Sequence, residues 1–325
     1  MSTNNWIVVT GGAGLIGSNI VAELNRRGET DILVVDDLRH DERWKNLRGL
    51  SFADCWHKDR FREAFRNDAG LPSIRTVYHL GACSTTTETD ANYLLDNNYL
   101  YTQELCKWAL RNEVRFIYAS SAATYGDGAK GYSDDDALTP ELRPLNMYAM
   151  SKQLFDMWAL RNGILSSVAG LKYFNVFGPG EDHKGDMCSV VNKAYRQIQE
   201  DGVVKLFKSY RTDYADGGQL RDFVYVKDAV DLTLFFGEPD APSGLFNCGT
   251  GIARSWNDLV KSVFRAMNIE PQIEYINMPD HLRGKYQYFT QADTSKLRAA
   301  GYTRAFLTLE NSVADYVQNY LEKQD

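Results

Sequence analysis

Eight residues near the amino terminus constrain the architecture more than any other part of the chain: Thr10-Gly11-Gly12-Ala13-Gly14-Leu15-Ile16-Gly17. They follow Trp6 to Thr10, a short apolar run suited to a buried parallel strand. After them Ile16, Ile20, Val21 and Leu24 recur at helical spacing, and Gly28 ends the predicted helix. Glycines at such a junction permit a tight turn, close approach of backbone to a pyrophosphate, and close helix packing. The helix N-terminus adds free N–H groups and a positive dipole. Ile32-Leu33-Val34-Val35 is the next strand, closing a βαβ unit with Asp36 at its carboxyl end, nineteen residues past Gly17. A bare glycine triad is more often structural, but strand, loop, helix and spaced carboxylate together read as a dinucleotide site.

Val77 to Leu80, Arg115 to Ala119 and Val168 to Tyr173 look like further strands, and 90–112 and 145–162 have helical periodicity. Strands alternating with helices predict an α/β fold, a Rossmann-type doubly wound parallel sheet. Past Tyr173 the loops lengthen around Gly178-Pro179-Gly180 and Asp213 to Arg221, where Asp216-Gly217-Gly218-Gln219 is a turn. Phe223-Val224-Tyr225-Val226 returns to strand, so a smaller α/β substrate-binding lobe is built from several excursions. The expected division gives 1–173, 224–249 and 288–302 to the cofactor domain, and 174–223, 250–287 and 303–325 to the substrate lobe.

Hydrophobic residues at 44% and charged residues at 24% of 325 are ordinary for a globular chain. A net charge of −7 argues against a nucleic-acid partner. Cys55, Cys83, Cys106, Cys188 and Cys248 are scattered without a Cys-x-x-Cys, which reads as reduced thiols in a cytoplasmic protein. The five histidines are equally dispersed, so no metal site is expected. Met1-Ser2-Thr3-Asn4-Asn5 lacks the basic region of a signal peptide, and Trp6-Ile7-Val8-Val9 is too short to span a bilayer.

Tyr148-Ala149-Met150-Ser151-Lys152 places a phenol and an ammonium four residues apart on one predicted helix face. The ammonium there is expected to lower the phenol's pKa from about 10 toward neutrality, making Tyr148 a general base for a sugar hydroxyl. Ser121, in Ala119-Ser120-Ser121-Ala122-Ala123-Thr124-Tyr125-Gly126, follows a strand and emerges at the carboxyl edge where such sheets bind ligands. It is a candidate to hold the reacting oxygen, although serines at strand ends are commonly structural. Cofactor choice stays open. Asp36 and Asp37 favour NAD, whereas Arg39, Arg43 and Lys58 either gather the 2′-phosphate of NADP or form a solvated surface.

These motifs resemble the extended short-chain dehydrogenase/reductase family, whose members oxidise nucleotide-linked sugars transiently. Gly81-Ala82-Cys83-Ser84-Thr85-Thr86, Asp96-Asn97-Asn98-Tyr99, Tyr173-Phe174-Asn175-Val176-Phe177-Gly178-Pro179 and His183-Lys184-Gly185 are similar to the branch acting at C6″ of ADP-linked heptoses. So are Arg221-Asp222-Phe223-Val224-Tyr225-Val226 and the block from Gly284 to Asp293. The resemblance covers nearly the whole chain. It implies epimerisation through a transient aldehyde, with NADP (or NAD) taking and returning the hydride, in supply of lipopolysaccharide inner-core heptose. It assigns acid/base roles to Tyr148 and Lys184, although sequence alone makes Lys184 a surface or phosphate-binding lysine.

Carried over position by position, Gly11, Gly14, Leu15, Ile16, Gly17, Asp36, Asp37, Arg43, Lys58, Asn97, Lys152, Val176 and Lys184 meet the cofactor. Leu80, Gly81, Ala82, Cys83 and Ser84 run beneath it. Asn175, Asp186, Lys193, Phe207, Lys208, Ser209, Tyr210, Arg221 and Tyr286 hold the ADP-heptose. The chain departs from the branch's pattern at Leu80, Arg43, Asp186 and Lys193, and Thr212 to Gly218 looks like an exposed loop extension. The expected assembly is a homo-oligomer. A sugar 4-epimerase needs the same Ser, Tyr and Lys but not His183-Lys184-Gly185. A 4,6-dehydratase needs an acid where Ala122 and Ala123 stand, and a cofactor-sensing regulator has no use for Tyr148 and Lys152.

Overall fold

The computed structural model describes residues 5–283 and 286–323. The Met1-Ser2-Thr3-Asn4 terminus and the Gly284-Lys285 pair of the late block lie outside the described residues. The chain runs β1 (Trp6–Thr10), α1 (Leu15–Arg26), β2 (Ile32–Asp36), β3 (Asp54–His57), α2 (Lys58–Asn67), β4 (Ile74–His79), α3 (Ala91–Leu94), α4 (Tyr101–Arg111), β5 (Arg115–Ser121), α5 (Met147–Arg161) and β6 (Ala169–Tyr173). It continues through β7 (Asn175–Phe177), α6 (Val190–Asp201), β8 (Val204–Phe207), β9 (Leu220–Tyr225), α7 (Val226–Phe235), β10 (Gly244–Cys248), β11 (Ala253–Ser255) and α8 (Trp256–Ala266). β12 (Ile273–Ile276), α9 (Asp280–Arg283), α10 (Ser295–Ala299) and α11 (Leu309–Asn319) complete it.

Seven strands form the central sheet in the order β10-β6-β5-β4-β1-β2-β3, and every pairing is parallel. Helices cover both faces, which is why the strands read as unbroken apolar runs rather than alternating ones. Val9, Val34 and Ile117 pack with Ile20 and Val21 of α1 and Val230 of α7. Val8, Leu33 and Phe116 point the other way, into Phe61 and Phe65 of α2, Leu105 of α4 and Phe155 of α5. Sequence order reverses between β1 and β4, opening a crevice at their carboxyl ends.

The helix predicted over 90–112 is present as a run from Ala91 to Arg111, but its winding is not uniform. A π-helical turn over Leu95–Leu100 separates α3 from α4, and its wider winding turns both Asn97 and Asn98 inward, where they are buried. Beyond β6 lie a three-stranded sheet, β11-β9-β7, and a two-stranded one, β12-β8. β10 returns to the large sheet beside β6. Among the described residues, no helix is long and apolar enough to cross a membrane.

Candidate active site

The crevice is a cleft lined on one side by Gly11, Gly81 and Ala82, and on the other by Asp36, Asp37, Arg43 and Lys58. Its floor depends on two missing side chains. Gly11 has φ of 66°, and a Cβ there would lie 2.7 Å from Gly81 N; at Gly17 a Cβ would meet Gly11 O at 2.1 Å. Asp36 braces the loop as well as facing the cleft, since one carboxylate oxygen accepts from Ala13 N–H at 2.8 Å and the other from Asp37 N–H at 2.7 Å. Arg43 stands 3.6 Å from Asp36 and forks onto Asp41. Arg39 bonds Asp37 and the Tyr93 hydroxyl. A cradle that a Cβ would fill, a carboxylate at the carboxyl end of β2 and three nearby cations fit a nicotinamide dinucleotide.

Of the expected cofactor residues, Gly11, Asp36, Asp37, Arg43, Lys58, Gly81, Ala82, Cys83 and Asn97 line this cleft. Leu15 and Ile16 open α1, Lys58 opens α2, and Leu80 to Ser84 leave the end of β4. Asn98 clamps that segment: its amide accepts from Cys83 N–H at 2.8 Å and donates to Cys83 O at 2.9 Å and Ser151 Oγ at 3.0 Å. Asn97 lines the cleft beside it, and half-buried Val176 lies on β7.

Ser121 ends β5 and Asn146 caps α5, its side chain accepting from Ala149 N–H at 2.8 Å. That start places Tyr148 so that its phenol hydrogen-bonds the Ser121 hydroxyl. Lys152 is buried and donates to Ala119 O at 2.8 Å. Burial lowers its pKa to about 8, with Asp156 and Cys83 resisting. Tyr148 departs from the expectation. Burial pushes the phenol above its ordinary value, and the hydrogen bond from Ser121 pulls it only part of the way back. The Lys152 ammonium is turned to a backbone carbonyl, so desolvation outweighs the lowering predicted from the four-residue spacing.

Lys184 sits in a helical turn, Asp182–Met187, that is fastened to the glycine loop. Asn46 makes the link, donating to Ala13 O at 2.9 Å and Gly180 O at 2.8 Å, with His183 Nδ1 at 3.4 Å. Burial lowers the Lys184 pKa against the opposing Glu181 charge. Of the expected substrate residues, Phe207, Arg221 and Tyr286 come together: the Arg221 guanidinium lies 5.3 Å from the Tyr286 ring centre, which packs edge-on to Phe207. Lys208, Ser209 and Tyr210 continue from β8, and Tyr210 N–H donates to the Tyr288 hydroxyl. Asn175 is exposed on β7, Asp186 is exposed, and Lys193 is half-buried on α6. Among the described residues, no hydrogen bond or ion pair joins Asp186 or Lys193 to the Arg221 group. The 212–218 extension is largely exposed, as expected, but Tyr214 packs on Tyr288 with Arg211 alongside, and Asp216 accepts from Ser209 N–H.

Over residues 7–249 the sequence matches the NAD dependent epimerase/dehydratase family. The chain belongs to this family. Curated relatives called ADP-L-glycero-D-manno-heptose-6-epimerase, from Nitratidesulfovibrio vulgaris and Fusobacterium nucleatum, are 54% and 49% identical to it. Each alignment spans 98% of this chain, and 98% and 99% of the respective relatives. The crystal structure of the Helicobacter pylori enzyme of that name shares 26% identity, with a TM-score of 0.80 over 98% of this chain and 96% of its own. UDP-glucose 4-epimerase from Thermus thermophilus, in complex with NAD, is 25% identical with a TM-score of 0.77 over 98% and 100%.

Three residues that organise this family member's site escape a reading of motifs. Asn98 lay inside a quoted motif without a role, and Asn46 bears no motif at all. His79, fully buried at the end of β4, bonds Thr10 and Thr102. Each acts on partners distant in sequence, so only pairing across the fold reveals it.

Proposed function

We propose that the protein inverts C6″ of ADP-D-glycero-D-manno-heptose to give the L-glycero epimer, for lipopolysaccharide inner-core heptose, with NADP preferred over NAD. One observation carries this reading: the His183-Lys184-Gly185 turn, which a C4 epimerase does not need, is docked onto the cofactor loop through Asn46. The near-full-length identity to enzymes of that name supports it. So do Arg39, Arg43 and Lys58, which flank the cleft where a 2′-phosphate would lie.

When bound, a nicotinamide cofactor would supply hydride abstraction and return at C6″. Ser121 holds the reacting oxygen while Tyr148 accepts its proton as the phenolate, a form that burial disfavours in the cofactor-free site and that the positive charge of a bound oxidised nicotinamide would favour. The product of that oxidation is a ketone rather than the expected aldehyde, because C6″ is bonded to both C5″ and C7″; it turns about the C5″–C6″ bond, exchanging the places of the oxygen and C7″ and presenting its other face. Lys184, its pKa lowered by burial, then meets the oxygen in its second position and returns a proton. Lys152 orients Tyr148 and the cofactor ribose. Arg221 and Tyr286 hold the ADP portion, Arg221 toward the phosphates. The enzyme works as a cytoplasmic homo-oligomer.

Purified protein should convert the D-glycero substrate to its C6″ epimer. Tyr148→Phe and Lys184→Met should each keep fold and cofactor but lose most turnover, with strongly non-additive effects in the double variant. In heavy water the product should carry essentially no deuterium at C6″, because hydride does not exchange with solvent. Wild-type turnover in Tyr148→Phe, or deuterium at C5″ or C7″, would sink the mechanism.

A further inference from the structure

Behind the reactive residues lies a buried ion pair that the chemistry above does not use. Asp156 is one helical turn past Lys152 on α5, and Lys172 lies on β6; their side chains are 0% and 1% exposed, and Lys172 Nζ is 2.9 Å from Asp156 Oδ2. Such a pair is poor evidence of added stability, since desolvating each ion costs several kcal/mol. It does select one arrangement, because every remaining bond must be met.

Those bonds all run to elements that carry reactive groups. Asp156 accepts from the Ser120 hydroxyl at 2.6 Å and from the Tyr118 hydroxyl at 2.9 Å, both on the strand that ends in Ser121. Lys172 donates to Thr124 Oγ1 at 2.8 Å, and Thr124 in turn donates to Ser121 O at 2.8 Å. Ser121 is therefore held through the residue before it and through the turn after it. The same carboxylate pins α5 one turn from Lys152, whose ammonium meets Ala119 O on that strand.

We propose that Asp156 and Lys172 are a positioning pair that sets α5 against β5, aligning Tyr148 with Ser121 and keeping Lys152 charged. The proposal rests on the reading of Tyr148 and Lys152 as the proton-handling pair. Neither Asp156 nor Lys172 touches substrate. The titratable groups around Lys152 are Tyr148 and Asp156 from α5, with His79 of β4 and Cys83 of the loop after it. Tyr118 of β5 and Lys172 of β6 reach it through Asp156. Asp156 is thus the full negative charge in this group, and it opposes the effect of burial on Lys152. Without it, Lys152 and Lys172 become two unpaired buried cations, and Lys152 sheds its proton at lower pH.

Trace acetylation of the full chain with acetic anhydride across the neutral-to-alkaline range, read at Lys152 by peptide mass spectrometry, tests this without substrate. Wild type should titrate near 8. Asp156→Asn should titrate at least one unit lower, a roughly tenfold gain in neutral amine near pH 7. With ADP-heptose, kcat should fall on the order of tenfold while KM stays within about twofold, and the alkaline limb of the pH profile should move the same way. Lys172→Arg should retain most of the kcat that Lys172→Met loses. A purely structural pair would lower melting temperature but leave the Lys152 titration in place. An unshifted titration in folded Asp156→Asn, or a wild-type kcat, overturns the proposal. If that variant does not fold, equal kcat in Lys172→Arg and Lys172→Met overturns it instead. Wild type that fails to epimerise ADP-heptose defeats the proposed function, and the titration then decides the pair alone.

Discussion

At the scale of single residues, His79 shows how a buried ring can be read down to its proton. Thr102 donates to Asn98 O at 2.6 Å, so it must accept from His79 Nε2–H at 2.8 Å. His79 Nδ1 then accepts from the Thr10 hydroxyl at 2.7 Å, and Thr10 Oγ1 accepts from Gly81 N–H at 3.1 Å. This assigns the neutral Nε2–H tautomer by the network rather than by sight of hydrogens. Burial, aided by the Lys152 charge, holds the ring's pKa at about 3 against an ordinary 6.5. The folded state therefore binds fewer protons than the unfolded chain. Its contribution to stability is complete above 6.5 and lost as pH falls from there toward 3. His79→Gln should melt below wild type at pH 7, and the gap should narrow by about pH 4. A gap that is constant with pH would contradict the assignment.

At the scale of elements, the junction of β1 with α1 was legible because its chemistry is local. Gly11 and Gly17 stand where any side chain strikes backbone, and sequence spacing alone locates them. Gly17→Ala should abolish dinucleotide binding, measured by fluorescence titration, because the added carbon meets Gly11 O at 2.1 Å; binding at wild-type affinity would refute the close-approach argument. The runs of β1, β2, β4, β5 and β6 and the Ser121 turn were legible for the same reason, whereas the two edge strands of the sheet, β3 and β10, were not singled out. The π turn over Leu95–Leu100 was not, since helical periodicity looks alike with one extra residue in the winding. The Tyr148 environment was misread because spacing reports which face a lysine shares, not which acceptor its ammonium meets. Asn46 was invisible because its three partners lie on two other segments.

At the scale of the whole molecule, a net charge of −7 coexists with a local cluster of Arg39, Arg43 and Lys58 at the cleft. Each of these cations already faces a carboxylate, Asp37, Asp41 and Asp59 respectively. A 2′-phosphate would compete for charges that are only partly neutralised. NADP should therefore raise the melting temperature more than NAD at equal concentration, with the difference shrinking as salt rises. Arg43→Ala should reduce the NADP effect selectively. Equal shifts in wild type would make Asp36 and Asp37 dominant, and NAD the cofactor.

The sheet order also bears on how the chain is made. β6 finishes at Tyr173, but its outer neighbour, β10, begins at Gly244. At translation rates of ~5–20 residues per second, several seconds separate the two strands. Throughout that interval β6, all of whose residues are buried in the finished fold, presents a naked row of parallel backbone donors and acceptors to any other nascent strand nearby. A fragment ending at Tyr173 should accordingly aggregate, and the intact polypeptide is most vulnerable on the ribosome rather than after release.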